Sequence, residues 1–147
     1  MCFPVTIDGA TNQVFKRQLN IGKYGRADLV SFTKIGEKQL LVNVYELKKD
    51  KISMSAFLQA VGYCKGIRSY IRDYRQKEIL LRFNIILIGN SLDTSSEFSF
   101  LTDFINSCNF DLMYFTYKYN IDGIVFNYES DYKLMDEGFK SWRTLYL

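Results

Sequence analysis

The chain has 147 residues, 48% of them hydrophobic, 24% charged and 16% aromatic, with a net charge of +3. That length suits one domain with a full core, the composition is that of an ordinary globular protein, and so mild a charge is compatible with a nucleic-acid partner without demanding one. Histidine is absent, which excludes Ser-His-Asp and Cys-His triads, HExxH zinc sites and histidine general bases.

In chain order, "MCFPVTIDGA" has no charged leader followed by an apolar stretch, so no signal peptide is expected. Residues 12–21 alternate and read as a strand, "GKYG" (22–25) as a turn, 26–32 as a second strand, 33–38 as a tight connection and 39–48 as a third strand. Three short strands with glycine-bearing turns predict an antiparallel meander. Residues 53–76 read as one long helix, capped by Ser53 or Ser55, with Phe57, Ala60, Val61, Cys64, Ile67 and Ile71 in an apolar stripe. A buried strand follows at 82–90, then a helix at 95–108, capped by Ser96 and helped by Glu97. Residues 110–119 and 123–129 form a predicted hairpin around "NID" (120–122), and the tail reads as short helix and coil.

The resulting order, βββ–α–β–α–β–β, predicts a single α/β (α+β) domain over 1–147, with helices flanking a mixed central sheet. Cys2, Cys64 and Cys108 are odd in number and form no CxxC pair, so reduced thiols in a cytoplasmic setting are expected. Apolar runs such as 85–88 are too short to span a bilayer, and no membrane partner is expected.

The chemistry concentrates in "LLVNVYELKKDK" (40–51), where an apolar strand ends in Glu46 and Lys48, two apart and so on one side of it. If strands two and three are hairpin neighbours, Asp28 sits across from Glu46. Two adjacent carboxylates repel unless a cation lies between them, and hard oxygen ligands suit Mg²⁺ or Mn²⁺. Such a cation polarises a phosphoryl oxygen and acidifies water, while Lys48 could orient that water or neutralise developing charge. The set is equipped for phosphodiester hydrolysis without histidine. The bland readings are a strand end fraying into solvent for Glu46 and Lys48, and an aspartate bonding the neighbouring turn for Asp28. For Gln59 and Tyr63 the bland reading is a polar helix face with a packed tyrosine.

"GRADLV" (25–30), "VYELKK" (44–49) and "QAVGY" (59–63) stand in the order D…ExK…QxxxY. This resembles the PD-(D/E)XK nuclease superfamily, in its RecB-like branch, over residues 12 to 90. The resemblance implies a restriction-endonuclease-like fold and a metal-dependent deoxyribonuclease acting in DNA processing, phage or defence systems. It makes Asp28 and Glu46 ligands of Mg²⁺ or Mn²⁺, the backbone carbonyl of Leu47 a further ligand, and Lys48 the catalytic lysine. Gln59 and Tyr63 would line the catalytic site and help position water or the scissile phosphate. The family usually opens with a helix that often carries an acid. Here about a dozen residues precede the first strand, with Asp8 their only acid, so a domain lacking that helix is expected. The alternative is a nuclease-fold DNA-binding or assembly subunit with weak or no cleavage. The resemblance implies DNA of either strandedness as the partner; cutting both strands would favour a two-fold homodimer, and a partner protein is the other possibility.

At about 100° per residue, Lys65, Arg68, Arg72 and Arg75 fall on the side of the apolar stripe away from Gln59, Tyr63, Tyr70 and Tyr74. That basic face is expected to be mostly solvated, and Lys49 and Lys51 to be better placed to hold DNA. Tyr114, Phe115, Tyr117 and Tyr119 read mainly as core residues or cross-strand pairs.

Overall fold

A computed structural model describes residues 13–74, 78–93 and 110–129. The predicted helix at 95–108, the tail, Asp8 and Arg75 lie outside the described residues. Strands β1 (Gln13–Asn20), β2 (Arg26–Gly36) and β3 (Gln39–Leu47) form the expected antiparallel meander, with a 3₁₀ turn at Gly22–Tyr24. After a short β4 (Lys51–Ile52) comes the helix α1 (Met54–Tyr74). Then follow β5 (Leu80–Gly89), β6 (Ser91–Leu92), β7 (Phe110–Asn120) and β8 (Gly123–Glu129). Among the described residues the main sheet has six strands in the order β1-β2-β3-β5-β7-β8, and β4 pairs with β6 in a separate two-stranded ribbon. β5 lies parallel to β3, β7 parallel to β5, and β8 antiparallel to β7. The architecture is a mixed sheet with one described helix on it.

α1 forms because its apolar residues recur at helical spacing. Phe57, Ala60, Cys64, Ile67 and Ile71 are all buried. The Ser53 carbonyl accepts the first intrahelical bond, from the amide of Phe57 at 3.2 Å, which makes Ser53 the N-cap. The stripe packs on Val30, Phe32, Val42, Val44, Phe83, Ile85, Leu87, Leu112 and Tyr114, which registered pairing puts on one face of the sheet. Gly66 brings α1 against the 3₁₀ turn; a Cβ there would overlap the side chains of Ile21 and Tyr24. Gly89 does the same for β4, since its Cβ would stand 2.7 Å from the Asp50 carbonyl oxygen.

The boundary between β2 and β3 differs from expectation. The residues read as a connection at 33–38 mostly continue β2, so the hairpin turns only at Glu37 and Lys38. Thr33 and Lys34 pair with Leu41 and Leu40, and cross-strand pairing outweighs the turn-forming composition of the segment. β4 and β6, two residues each, carry no period to read. The solvated basic face is also corrected at one position: Arg68 is half-buried over the Phe83 ring, 5.2 Å from its centroid, while Lys65 and Arg72 are exposed. A long side chain can cover apolar surface with its stem while its charged head meets a ring face.

The opposite face carries a polar row. Ser31 Oγ accepts from Asn43 Nδ2 at 2.9 Å and from Gln13 Nε2 at 3.3 Å, and Asn43 Oδ1 accepts from Asn84 Nδ2 at 2.8 Å. Ser31 and Asn43 are buried, so each depends on the others for satisfaction, and the row ties β1, β2, β3 and β5 in one register. Asn43→Ala leaves Ser31 short of a donor and Asn84 short of an acceptor. A loss of about 1–3 kcal/mol is expected in denaturant unfolding. An unchanged midpoint would show that the row contributes nothing.

Candidate functional site

Val42 and Val44 point toward α1, and the two-residue period of β3 carries Glu46 to the same side, where it is 2% exposed. Leu29 pairs with Tyr45, so one further step along that register puts Asp28 opposite Glu46. The Asp28 Oδ2 atom accepts the amide of Leu47 at 2.9 Å and holds the end of β3 against β2. The resemblance assigns Leu47 a role through its carbonyl; its amide is the group engaged with Asp28.

From Glu46 a continuous chain of polar contacts runs into the helix. Lys48 Nζ lies 2.8 Å from Glu46 Oε1 and donates to Gln59 Oε1 at 2.9 Å. Gln59 Nε2 donates to the Tyr63 hydroxyl at 2.6 Å, and that hydroxyl donates to the Arg26 carbonyl at 2.8 Å. Gln59 and Tyr63 meet because residues four apart share a helix face. The five residues singled out in the sequence for their side chains are therefore brought to one place, Asp28 through its bond to Leu47 and the other four in direct sequence.

Burial pushes the Glu46 carboxyl above the ordinary carboxylate range; Lys48 pulls it back and the Asp28 charge adds to the rise. The Tyr63 hydroxyl is likewise raised, by burial first, with Gln59 opposing and the charges on Glu46 and Asp28 reinforcing. It stays protonated and can serve as a donor to Arg26. Cys64, buried in the core, has its thiol pushed up to about 12 by desolvation, so it packs as a small apolar side chain and is no nucleophile.

Within this line of contacts one carboxylate oxygen is left over. Glu46 Oε2 is buried and has no hydrogen-bond partner among the described residues. An orphaned carboxylate oxygen is costly, and an ion or ordered water is its usual complement. Glu46 Oε2, together with Asp28, provides the hard oxygen donors that a divalent cation takes. Among the described residues no group of three or more His, Cys, Asp or Glu side chains gathers. A cation here would fill its remaining positions with backbone carbonyl, water or phosphate oxygen. Lys49 and Lys51 are exposed just beyond Lys48, and the Tyr117 hydroxyl bonds the Lys49 carbonyl at 2.8 Å, fixing that loop to β7.

Two neighbouring features carry no signal in the sequence. The Arg26 carbonyl is backbone and invisible to a motif. Gln18 sits on β1 between the pairs Arg17–Leu29 and Leu19–Ala27, which places it across from Asp28, and its φ of 46° is left-handed. A strained non-glycine residue beside candidate ligands is a feature of functional sites, but a glutamine within an alternating strand looks ordinary. An apolar cavity of about 590 Å³ lies elsewhere, between the 3₁₀ turn and the second half of α1, lined by Leu19, Ile21, Tyr24, Phe32, Ile67 and Ile71 among others. Its titratable lining is Lys23, Tyr24, Tyr70 and Asp73, which offers no carboxylate pair.

The raised Glu46 carboxyl fixes the sign of a pH effect. Its stabilising contribution is complete below the unfolded value near 4.5 and is lost as pH rises through the higher folded value. Glu46→Gln stays neutral throughout. It is expected to melt above the parent at neutral pH in metal-free buffer, the gap closing as pH falls toward 4.5. A gap independent of pH, measured by paired melting curves, would place the Glu46 titration elsewhere.

Comparison with protein-family models, with curated proteins and with solved structures finds no match for this chain, so its functional reading rests on its own residues and their geometry.

Proposed function

We propose that this chain is a metal-dependent nuclease of the PD-(D/E)XK type, hydrolysing DNA phosphodiester bonds. The observation that carries the reading is the unpartnered, buried Glu46 Oε2 beside Asp28, with Lys48 held between Glu46 and Gln59. The antiparallel β1–β3 meander, followed by α1 as a crossover to the parallel β5, supports a restriction-endonuclease-like arrangement of the same type.

Asp28 and Glu46 would hold Mg²⁺ or Mn²⁺, which supplies polarisation of a phosphoryl oxygen and acidification of water. The chain's own residues do the rest. Glu46, drawn into the apolar interface, presents its free oxygen from a rigid strand end. Lys48 is fixed by two acceptors, so its ammonium is already oriented to counter negative charge as water attacks phosphorus and the P–O bond to the leaving sugar breaks. Gln59 and Tyr63 hold Lys48 in register with β2 through the Arg26 carbonyl. Lys49 and Lys51, exposed on the adjoining loop, would contact the phosphate backbone.

A second reading keeps the nuclease fold but makes the domain a DNA-binding or assembly subunit. The limited supply of acids favours it, with only Asp28 and Glu46 converging among the described residues.

Incubation with linear duplex and single-stranded DNA in Mg²⁺, Mn²⁺ or EDTA separates the two. Metal-dependent cutting is expected from the parent, falling by roughly 100-fold or more in Lys48→Ala and in Glu46→Ala. Mn²⁺ at a hundred times its Kd should stabilise the parent by about 2.7 kcal/mol and leave Glu46→Ala unmoved. Metal stabilisation without cutting would select the binding subunit; neither response would overturn both readings.

A further inference from the structure

Among the described residues the main sheet ends in two edge strands, β1 and β8, and they are built differently. β1 carries Lys16 and Arg17 at its centre, and Gln18 with its φ of 46° breaks the ladder beside them. Charge and a local break are devices that stop an edge from pairing with another strand. β8 has neither. Its sequence, GIVFNYE, has no proline and a single charge at its last residue, and it pairs with β7 without a shift of register. Ile124, Val125, Phe126 and Tyr128 are 51%, 44%, 56% and 58% exposed, on both faces of the strand. Among the described residues β8 has one neighbouring strand, so alternate amides and carbonyls along its other side face outward.

We propose that β8 is a self-association edge, pairing antiparallel with β8 of a second copy about a two-fold axis at Phe126 and joining two sheets into one. In that register the strand complements itself. Phe126 faces Phe126 of the partner subunit, Ile124 faces Tyr128 of the partner subunit, and Val125 faces Asn127 of the partner subunit. Aromatic pairs and aromatic–β-branched pairs are the favourable cross-strand combinations. The one charge, Glu129, falls opposite Gly123 of the partner subunit, so like charges never meet. Register with β7 puts Ile124, Phe126 and Tyr128 on the face of Tyr119, Tyr117 and Phe115, and Tyr128 already packs edge-on against Phe115 at 5.4 Å. The joined edge extends that aromatic layer across the axis. Association stops at two copies because β8 is consumed by the symmetric contact and β1 is guarded. The inference stands whether or not the chain cuts DNA.

The test is the mass of the full chain in solution over a dilution series. At the concentrated end it is expected to approach twice 17.2 kDa. Val125→Lys and Phe126→Lys change exposed positions, so the fold should persist by circular dichroism, and each should raise the dimer Kd by about tenfold or more, the equivalent of ~1.4 kcal/mol. Phe15→Lys, exposed on β1, should leave it unchanged. With Cys2 and Cys108 replaced by serine, Phe126→Cys should cross-link under mild oxidation, whereas Ile121→Cys at the hairpin turn should not. A parent that is monomeric at every dilution, or a dimer indifferent to both lysine variants, would overturn the proposal. So would a monomer in which Phe126→Lys instead abolishes retention of a labelled oligonucleotide or of lipid vesicles.

Discussion

The contact between Lys48 and Glu46 is the constraint around which this end of the molecule is organised. A carboxylate that is 2% exposed costs several kcal/mol to desolvate, and one ammonium at 2.8 Å offsets only part of that, which is why the carboxyl remains raised. The lysine cannot be left loose either. Gln59 holds it, Tyr63 holds Gln59, and the Arg26 carbonyl holds Tyr63. The helix is therefore docked twice, by its apolar stripe and by this polar line, and the second docking sets its rotation and height relative to β2 and β3. The site and the seating of α1 are a single arrangement.

The sheet serves this arrangement through its change of sense. β1, β2 and β3 can be antiparallel because tight turns join them, whereas the parallel step from β3 to β5 requires a long crossover, which α1 supplies. The crossover starts just after β3 ends, so the first turns of α1 lie beside the strand end that bears Glu46 and Lys48. Gly89 and β4 close the same end from the other side, with the backbone of Asp50 in contact with that of Asn90. β2, β3 and α1 thus converge on the carboxylates, and support from regular elements is what holding a charged group without water demands.

The two faces of the sheet use polarity in different ways. On the α1 side a line of polar contacts gathers at the end of β3, where one Glu46 oxygen is left unmatched. On the other side Ser31, Asn43, Asn84 and Gln13 satisfy one another in mid-sheet and leave nothing over. A closed network fixes register and is structural; an open one beside a second carboxylate has capacity to bind. That contrast between satisfied and unsatisfied polar burial gives Glu46 a meaning that its place in a short motif does not.

The sequence by itself determined the longer described elements and which side chains gather at the end of β3. Alternation in 12–21 and 39–48, the apolar stripe from Phe57 to Ile71 and the paired runs flanking residues 120–122 all correspond to elements of the structure, because these patterns arise from the local periods of strand and helix. The short β4 and β6 were not legible, since their pairing partners are remote in the chain, and the extension of β2 through Gly36 was masked by turn-forming residues that hairpin pairing with β3 overrides. Gln59 and Tyr63 shared a helix face on spacing alone, but only the packed structure aimed that face at Lys48 and at the carbonyl of Arg26. The burial of Glu46, the orphaning of one of its oxygens and the strained backbone of Gln18 opposite Asp28 were likewise decided by tertiary structure. Desolvation depends on what surrounds a side chain in space, and no local pattern records that.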